Sequence, residues 1–361
     1  MAEPAALCAN TAGGVSTLGV VTRRTKTLLT GLALVIVLGG LGGAVPVPFV
    51  ALGPGPTYNT LGDVGGTQVV AVTGTTTYPT AGNLNMTTVS VRDGVTLFGA
   101  IGLWLSGRDA LVPRETVFPP NKTPDQIQQQ NTQDFKTSEN SAVVAALKYL
   151  KYPFTVQVAS VTNGSPSDGV LKPGDRLTTL GATAVASAAE VTAALANTRP
   201  GQTVQVGYTR NGTPATGAVT LGNRPDAGQP QGFLGISPAD TPNVGFTVSI
   251  SLQDVGGPSA GLMFALGVVD KLTPGELNNG TFVAGTGTID SAGAVGPIGG
   301  IPFKLVAARE AGAVTFLVPA DNCAEARANA PTGLRLVRVG TLTDAVQDLE
   351  MLAAGGSAPS C

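Results

Sequence analysis

Residues 291–308, S-A-G-A-V-G-P-I-G-G-I-P-F-K-L-V-A-A, carry a single charge in eighteen positions, Lys304. The run otherwise suits burial, and a lysine held in it should give up its proton readily. A helix beginning at Pro302 puts Lys304 in its first turn, where the helix dipole also disfavours positive charge. Lowering a lysine pKa from ~10.4 toward 7 costs about 4–5 kcal/mol of differential solvation. Once neutral, the amine is a general base. A lysine whose stem packs while its head reaches water fits the same residues.

Upstream by 45 residues lies Ser259, in the stretch 254–261, D-V-G-G-P-S-A-G. A strand over Val244–Ile250 runs into this loop. The residues after it, with Leu262, Met263, Leu266 and Val269 at helical spacing, predict a helix whose N-terminal end holds Ser259. The same arrangement is a common helix cap. It is also a place where free backbone N–H groups can hold an oxyanion, and Gly257, Pro258, Ser259 and Ala260 are the expected lining.

The chain has 361 residues, enough for two domains and an extra segment, and it contains no histidine. A Ser-His-Asp triad and a His-ligated zinc are therefore excluded, and serine activation falls to another base. Three cysteines without C-x-x-C spacing argue against a metal site, and no cofactor is expected. With 12% charged residues and a net charge of −2, no basic field exists for nucleic acid. No Gly-Lys dipeptide occurs, so there is no P-loop.

Between Thr27 and Gly62 there is no charge, and residues 28–50 predict a membrane-spanning helix after Arg23, Arg24 and Lys26. That places residues 1–27 as a cytoplasmic tail and everything beyond about 50 outside the cell membrane; a cleaved signal peptide is the alternative. Cys323 and Cys361 then share the oxidising side, where closing their 38-residue loop would contribute about 4 kcal/mol; two free thiols are the alternative. The stretch after residue 45 reads as a Pro/Gly-rich connector near the bilayer. Strand-like runs Gln68–Thr73 and Asn83–Arg92 read as an antiparallel pair, followed by helical stretches at 123–131 and 135–150. A soluble fragment is expected to begin near residue 64.

Residues 152–221 include S-P-S-D-G-V-L-K-P-G-D-R-L-T-T-L-G, with turn residues before a strand at Arg176–Leu180 and Ser187 capping a helix. This resembles the bacterial PDZ domain. The resemblance implies peptide binding by strand addition between Phe154–Ser160 and the helix Ala188–Ala196, with Tyr152, Phe154, Val156 and Val191 as groove residues. A purely structural PDZ unit is the alternative.

Residues 244–342 resemble the proteolytic domain of the Lon protease family. That family's D-G-P-S-A-G corresponds to G-G-P-S-A-G here, carrying the nucleophile onto Ser259. Its T-G-E-x-T-x-x-G-x-V-x-P-I-G-G-[IL]-K-E-K run is matched by residues 286–304, carrying the base onto Lys304 and the threonine that orients it onto Thr286. Three departures stand out. Gly256 replaces an acidic residue, with Asp254 two positions earlier; Thr288 replaces a glutamate; Pro302-Phe303 replaces Lys-Glu.

The expected architecture is α+β: a transmembrane helix, a connector, strand pair and helices packing with the proteolytic domain over 51–150, a PDZ-like β-sandwich or barrel with helices over 151–222, a linker over 223–243, a Lon-type α+β proteolytic domain over 244–350 and a tail over 351–361. The expected activity is ATP-independent serine endopeptidase action on exposed or unfolded polypeptides outside the membrane, in a possible homo-oligomer. The alternative is an inactive membrane-tethered scaffold that binds peptides.

Overall fold

The computed structural model describes residues 22–225, 228–253 and 255–361. Helix α1 (Arg23–Ala44) is capped by Thr22, whose hydroxyl accepts from the Thr25 N–H. At 1.5 Å per residue it is about 33 Å long, and its mean hydropathy of 2.0 makes it long and apolar enough to cross a membrane or to act as a signal sequence. It ends at Ala44 rather than near residue 50, because the chain there becomes strand β1 (Phe49–Asn59). Arg23 to Thr27, expected in a tail, form its first turns; residues 1–21 lie outside the described residues.

The expected connector is thus a sheet strand. After β1 come β2 (Val70–Thr73), β3 (Asn83–Arg92), α2 (Leu97–Leu105) and β4 (Ala110–Pro113). Next are α3 (Pro124–Tyr149), β5 (Phe154–Val161), β6 (Arg176–Leu180), α4 (Ala188–Leu195), β7 (Thr203–Arg210), β8 (Thr213–Thr220), β9 (Ile236–Pro242) and β10 (Thr247–Ile250). The chain closes with α5 (Gly261–Leu272), β11 (Phe282–Gly285), α6 (Ile301–Ala311), β12 (Thr315–Pro319), α7 (Cys323–Ala328), β13 (Arg335–Val339) and α8 (Leu342–Ala353).

One mixed sheet has the order β13-β12-β11-β3-β1-β4, parallel from β13 through β3 and antiparallel beyond. The two runs expected to pair with each other do not: β2 pairs with β10, and β3 lies between β1 and β11. The two expected helical stretches are the single helix α3, started by a capping box between Thr123 and Gln126.

Helix α5 is the centre of the molecule. Every one of its residues is buried, Asp270 and Lys271 included, so the predicted apolar stripe is only part of an all-round apolar environment. Phe264 meets Phe135 of α3 edge-on at 5.7 Å between ring centres. Gly261, the first residue of α5, has no room for a side chain, since a Cβ would come within 2.8 Å of Ile289 and 2.9 Å of the Ser138 hydroxyl.

A second, antiparallel sheet runs β8-β7-β6-β5-β9 around its own core, which includes Val156, Leu177, Val206 and Leu234. Strand β9 lies inside the expected linker 223–243. Residues 351–361 are likewise no free tail: α8 continues to Ala353, Ser360 bridges Val337, and Cys361 forms a disulfide with Cys323.

Candidate active site

The loop before α5 is fastened from two sides. From α3, the Asn131 carbonyl accepts the Gly257 N–H at 3.0 Å, and the Ser138 hydroxyl donates to the Pro258 carbonyl at 3.0 Å. From the segment after β11, the Gly287 N–H and the Thr286 hydroxyl both donate to the Ser259 carbonyl, at 2.9 and 3.0 Å. Ser259 therefore sits just before α5 with its backbone fixed. Its side chain does not cap the helix, whose cap position is Ala260.

Helix α6 begins after Gly300, whose φ of 76° and contact with Val89, 2.7 Å from where a Cβ would lie, leave glycine as the residue that fits. One turn later Lys304 points inward, 2% exposed. Its Nζ lies 2.8 Å from Ser259 Oγ and 2.9 Å from Thr286 Oγ1. Burial lowers the Lys304 pKa to about 7, with no carboxylate among the described residues opposing it. Thr286 is fully buried, gives its proton to the Ser259 carbonyl and accepts from the Lys304 amine, which fixes the direction of the amine toward Ser259. The three residues singled out in the sequence are brought together.

The expected oxyanion lining is corrected in part. Pro258 has no N–H to offer, and the Gly257 N–H is already taken by Asn131. The N–H groups of Ser259 and Ala260 remain. They border a cleft of about 370 Å³ whose walls include Pro56 and Tyr58 of β1, Met86 and Val89 of β3, and Val255 and Gly299. The contribution of β1 and β3 was invisible in the sequence, because they lie some two hundred residues from the serine. A larger cavity, of about 530 Å³, lies beside Asn279 and Arg335, and neither Ser259 nor Lys304 borders it.

Gly256 has a physical reason. A Cβ there would come within 2.9 Å of the Asn131 Cβ, so helix α3 excludes the acidic side chain expected at this position. Asp254 lies outside the described residues. We expect Gly256→Asp to destabilise the fold by roughly 1–3 kcal/mol through overpacking; a melting temperature equal to wild type would contradict this.

The groove expected at β5 is not available. β5 is flanked by β6 on one side and β9 on the other, so no edge is left for an added strand. Val156 and Val191 are buried in the core of that unit, and Tyr152 and Phe154 pack toward the core around α5, Tyr152 edge-on to Phe246 at 5.2 Å. The terminal strands of this sheet are β8 and β9, and β9 is covered by α3 and α4: Lys148 of α3 and the first N–H of α4 (Ala188) both donate to Asp240 of β9. The apolar run Phe233, Leu234 and Ile236 within an otherwise polar segment was the available signal.

Comparisons with known proteins fit these two units. Residues 125–221 match the PDZ domain, and residues 236–349 match the Lon protease (S16) C-terminal proteolytic domain. The chain is 38% identical over 94 residues to a Lon protease of Azospirillum brasilense, covering 25% of this chain and 11% of that protein. It is 33% identical over 96 residues to one from Campylobacter concisus (26% and 12%) and 30% identical over 117 residues to Lon protease 2 of Bacillus subtilis (32% and 20%). It thus spans a fifth or less of the length of these relatives. Among solved structures, the PDZ domain of the SdrC-like protein of Listeria monocytogenes is 26% identical, covering 23% of this chain and 85% of that one with a TM-score of 0.22. Its Listeria innocua counterpart is 24% identical, covering 23% and 92%, also with a TM-score of 0.22. This chain carries a PDZ domain followed by a Lon-type C-terminal proteolytic domain.

Proposed function

We propose that the chain is a serine peptidase working through a Ser259–Lys304 dyad, without ATP, on exposed or unfolded polypeptide outside the membrane that α1 spans. The observation that carries this reading is the buried Lys304 amine, its pKa lowered to about 7, within 2.8 Å of the Ser259 hydroxyl in a chain without histidine. A neutral amine accepts the Ser259 proton as Oγ bonds to the scissile carbonyl carbon. The resulting oxyanion faces the Ser259 and Ala260 N–H groups. Lys304 then returns the proton to the leaving amine, and water repeats the sequence on the acyl-enzyme.

Thr286 acts as the positioning residue for Lys304. The apolar walls of the cleft, Met86, Val89 and Val255, favour apolar substrate side chains next to the cut. Strand β9 takes the place beside β5 and α4 that an added peptide strand would need, so peptide recognition by the PDZ unit requires β9 to give way.

The test is hydrolysis of a labelled unfolded protein by the full chain in detergent without nucleotide. Turnover should fall at least ~10³-fold in Ser259→Ala and stay unchanged on adding ATP. Equal rates in wild type and Ser259→Ala, or no turnover in either while peptides still bind, would leave the scaffold reading in its place.

A further inference from the structure

Helix α2 has two apolar faces. Its sequence, L-F-G-A-I-G-L-W-L, contains no charged side chain. The inner face, with Ala100 and Leu103, packs against Val47, Ala51, Val95 and Leu111. Leu97, Phe98, Ile101, Trp104 and Leu105 follow the i, i+1, i+4, i+7, i+8 pattern of a single outer face. They are 45–71% exposed. The helix has therefore already made its packing contact with the fold and still presents five large apolar side chains to its surroundings.

The position of α2 identifies what covers them. Its start is fastened to the end of α1: the Val47 N–H donates to the Val95 carbonyl at 2.8 Å, and Pro46 bridges Thr96. The Phe98 ring lies so close to Gly42 of α1 that a Cβ there would meet it at 2.9 Å. The apolar surface of α1, including Leu34, Ile36, Leu38 and Leu41 at 52–64% exposure, thus continues onto the outer face of α2. Polar residues return immediately after it, with Arg108 paired to Glu310. A lipid phase would cover both helices at once, and a tryptophan near the end of α2 suits the boundary between acyl chains and headgroups.

We propose that α2 lies in the bilayer interface beside the outer end of α1, forming a second membrane contact that fixes the orientation of the protease unit on the membrane. This rests on α1 spanning the membrane.

Trp104 is the single tryptophan of the chain, so its fluorescence reports on α2 without any substitution. The full chain is reconstituted into lipid nanodiscs, with or without lipids brominated near the top of the acyl chain. For a helix 5–10 Å into the headgroup boundary, roughly twofold quenching by the brominated lipid and little quenching by iodide are expected. Moving the reporter, with Phe98→Trp in a Trp104→Phe chain, should give the same pattern. A chain that co-purifies with the nanodisc yet shows Trp104 open to iodide and blind to brominated lipid overturns this inference while the α1 anchor stands. Trp104 shielded from both, with two chains in each nanodisc, overturns it in favour of a second copy. A chain that does not enter nanodiscs removes the anchor and this inference together.

Discussion

Lys304→Met should abolish turnover and make the protein harder to unfold. The unfolded lysine titrates near 10.5 and the native one near 7, so between those values the unfolded state binds more protons and native stability rises with pH. Below pH 7 both states are protonated, and the native state bears the whole cost of a buried ammonium, up to about 4–5 kcal/mol from a shift of about 3.5 pH units at 1.36 kcal/mol each. Methionine fills similar space without that charge. It also gives up the hydrogen bonds to Ser259 and Thr286, at about 1 kcal/mol each. The net gain should be about 2–3 kcal/mol at pH 6, shrinking toward zero or below by pH 10. Denaturant melts of both proteins at pH 6 and pH 9.5 measure it. A variant less stable than wild type at pH 6, or a difference that ignores pH, would contradict a neutral buried amine. In the wild type, kcat/KM should rise through pH 7 as the base loses its proton.

A fragment beginning near residue 64 should not fold, whereas one beginning at Pro46 should. Strand β1 lies between β3 and β4, and Val50 and Ala51 are fully buried. Its loss would strip β3 of a partner over Ala51–Asn59 and open the buried face beneath it. A domain is stable by only roughly 5–15 kcal/mol, so the loss of an internal strand and its core contacts should prevent folding. Thermal melts followed by circular dichroism should show a cooperative transition only in the longer fragment. A cooperative melt from the shorter one would mean that β1 is dispensable.

These two cases mark what the sequence can and cannot disclose. Ser259, Thr286 and Lys304 were readable because each stands in a short run whose neighbours fix its backbone: glycines before α5, Gly287 after β11, Gly300 before α6. The uncharged setting of Lys304 also carried its electrostatics. The turns of the PDZ unit and the cap at Ser187 are equally local. Strand β1 was hidden because its prolines read as loop, yet Pro54 and Pro56 fall where its register with β3 shifts between Pro54 and Thr57, the kind of irregularity that tolerates proline. Pairing of β2 with β10 joins residues near 71 and 249, a distance over which no sequence pattern speaks. The first half of α3 is polar and mostly exposed, so it lacks the periodicity that would have joined it to the second. The boundary between the two family matches does not follow the packing. Helix α3 falls in the PDZ match but packs on α5, and β9 falls in the Lon match but completes the PDZ sheet.

Only four residues, Val45 to Pro48, separate α1 from β1, and β1 itself supplies Pro56 and Tyr58 to the cleft. Ala44 and Pro56 are twelve residues apart, so even a fully extended chain would hold them within about 40 Å. With α1 in a bilayer, that length is a ceiling on the working altitude of Ser259. The proposed peptidase would then select by height as well as by sequence: tails and loops that hang within this layer would be in range, and chains that keep their cleavable segments farther out would not.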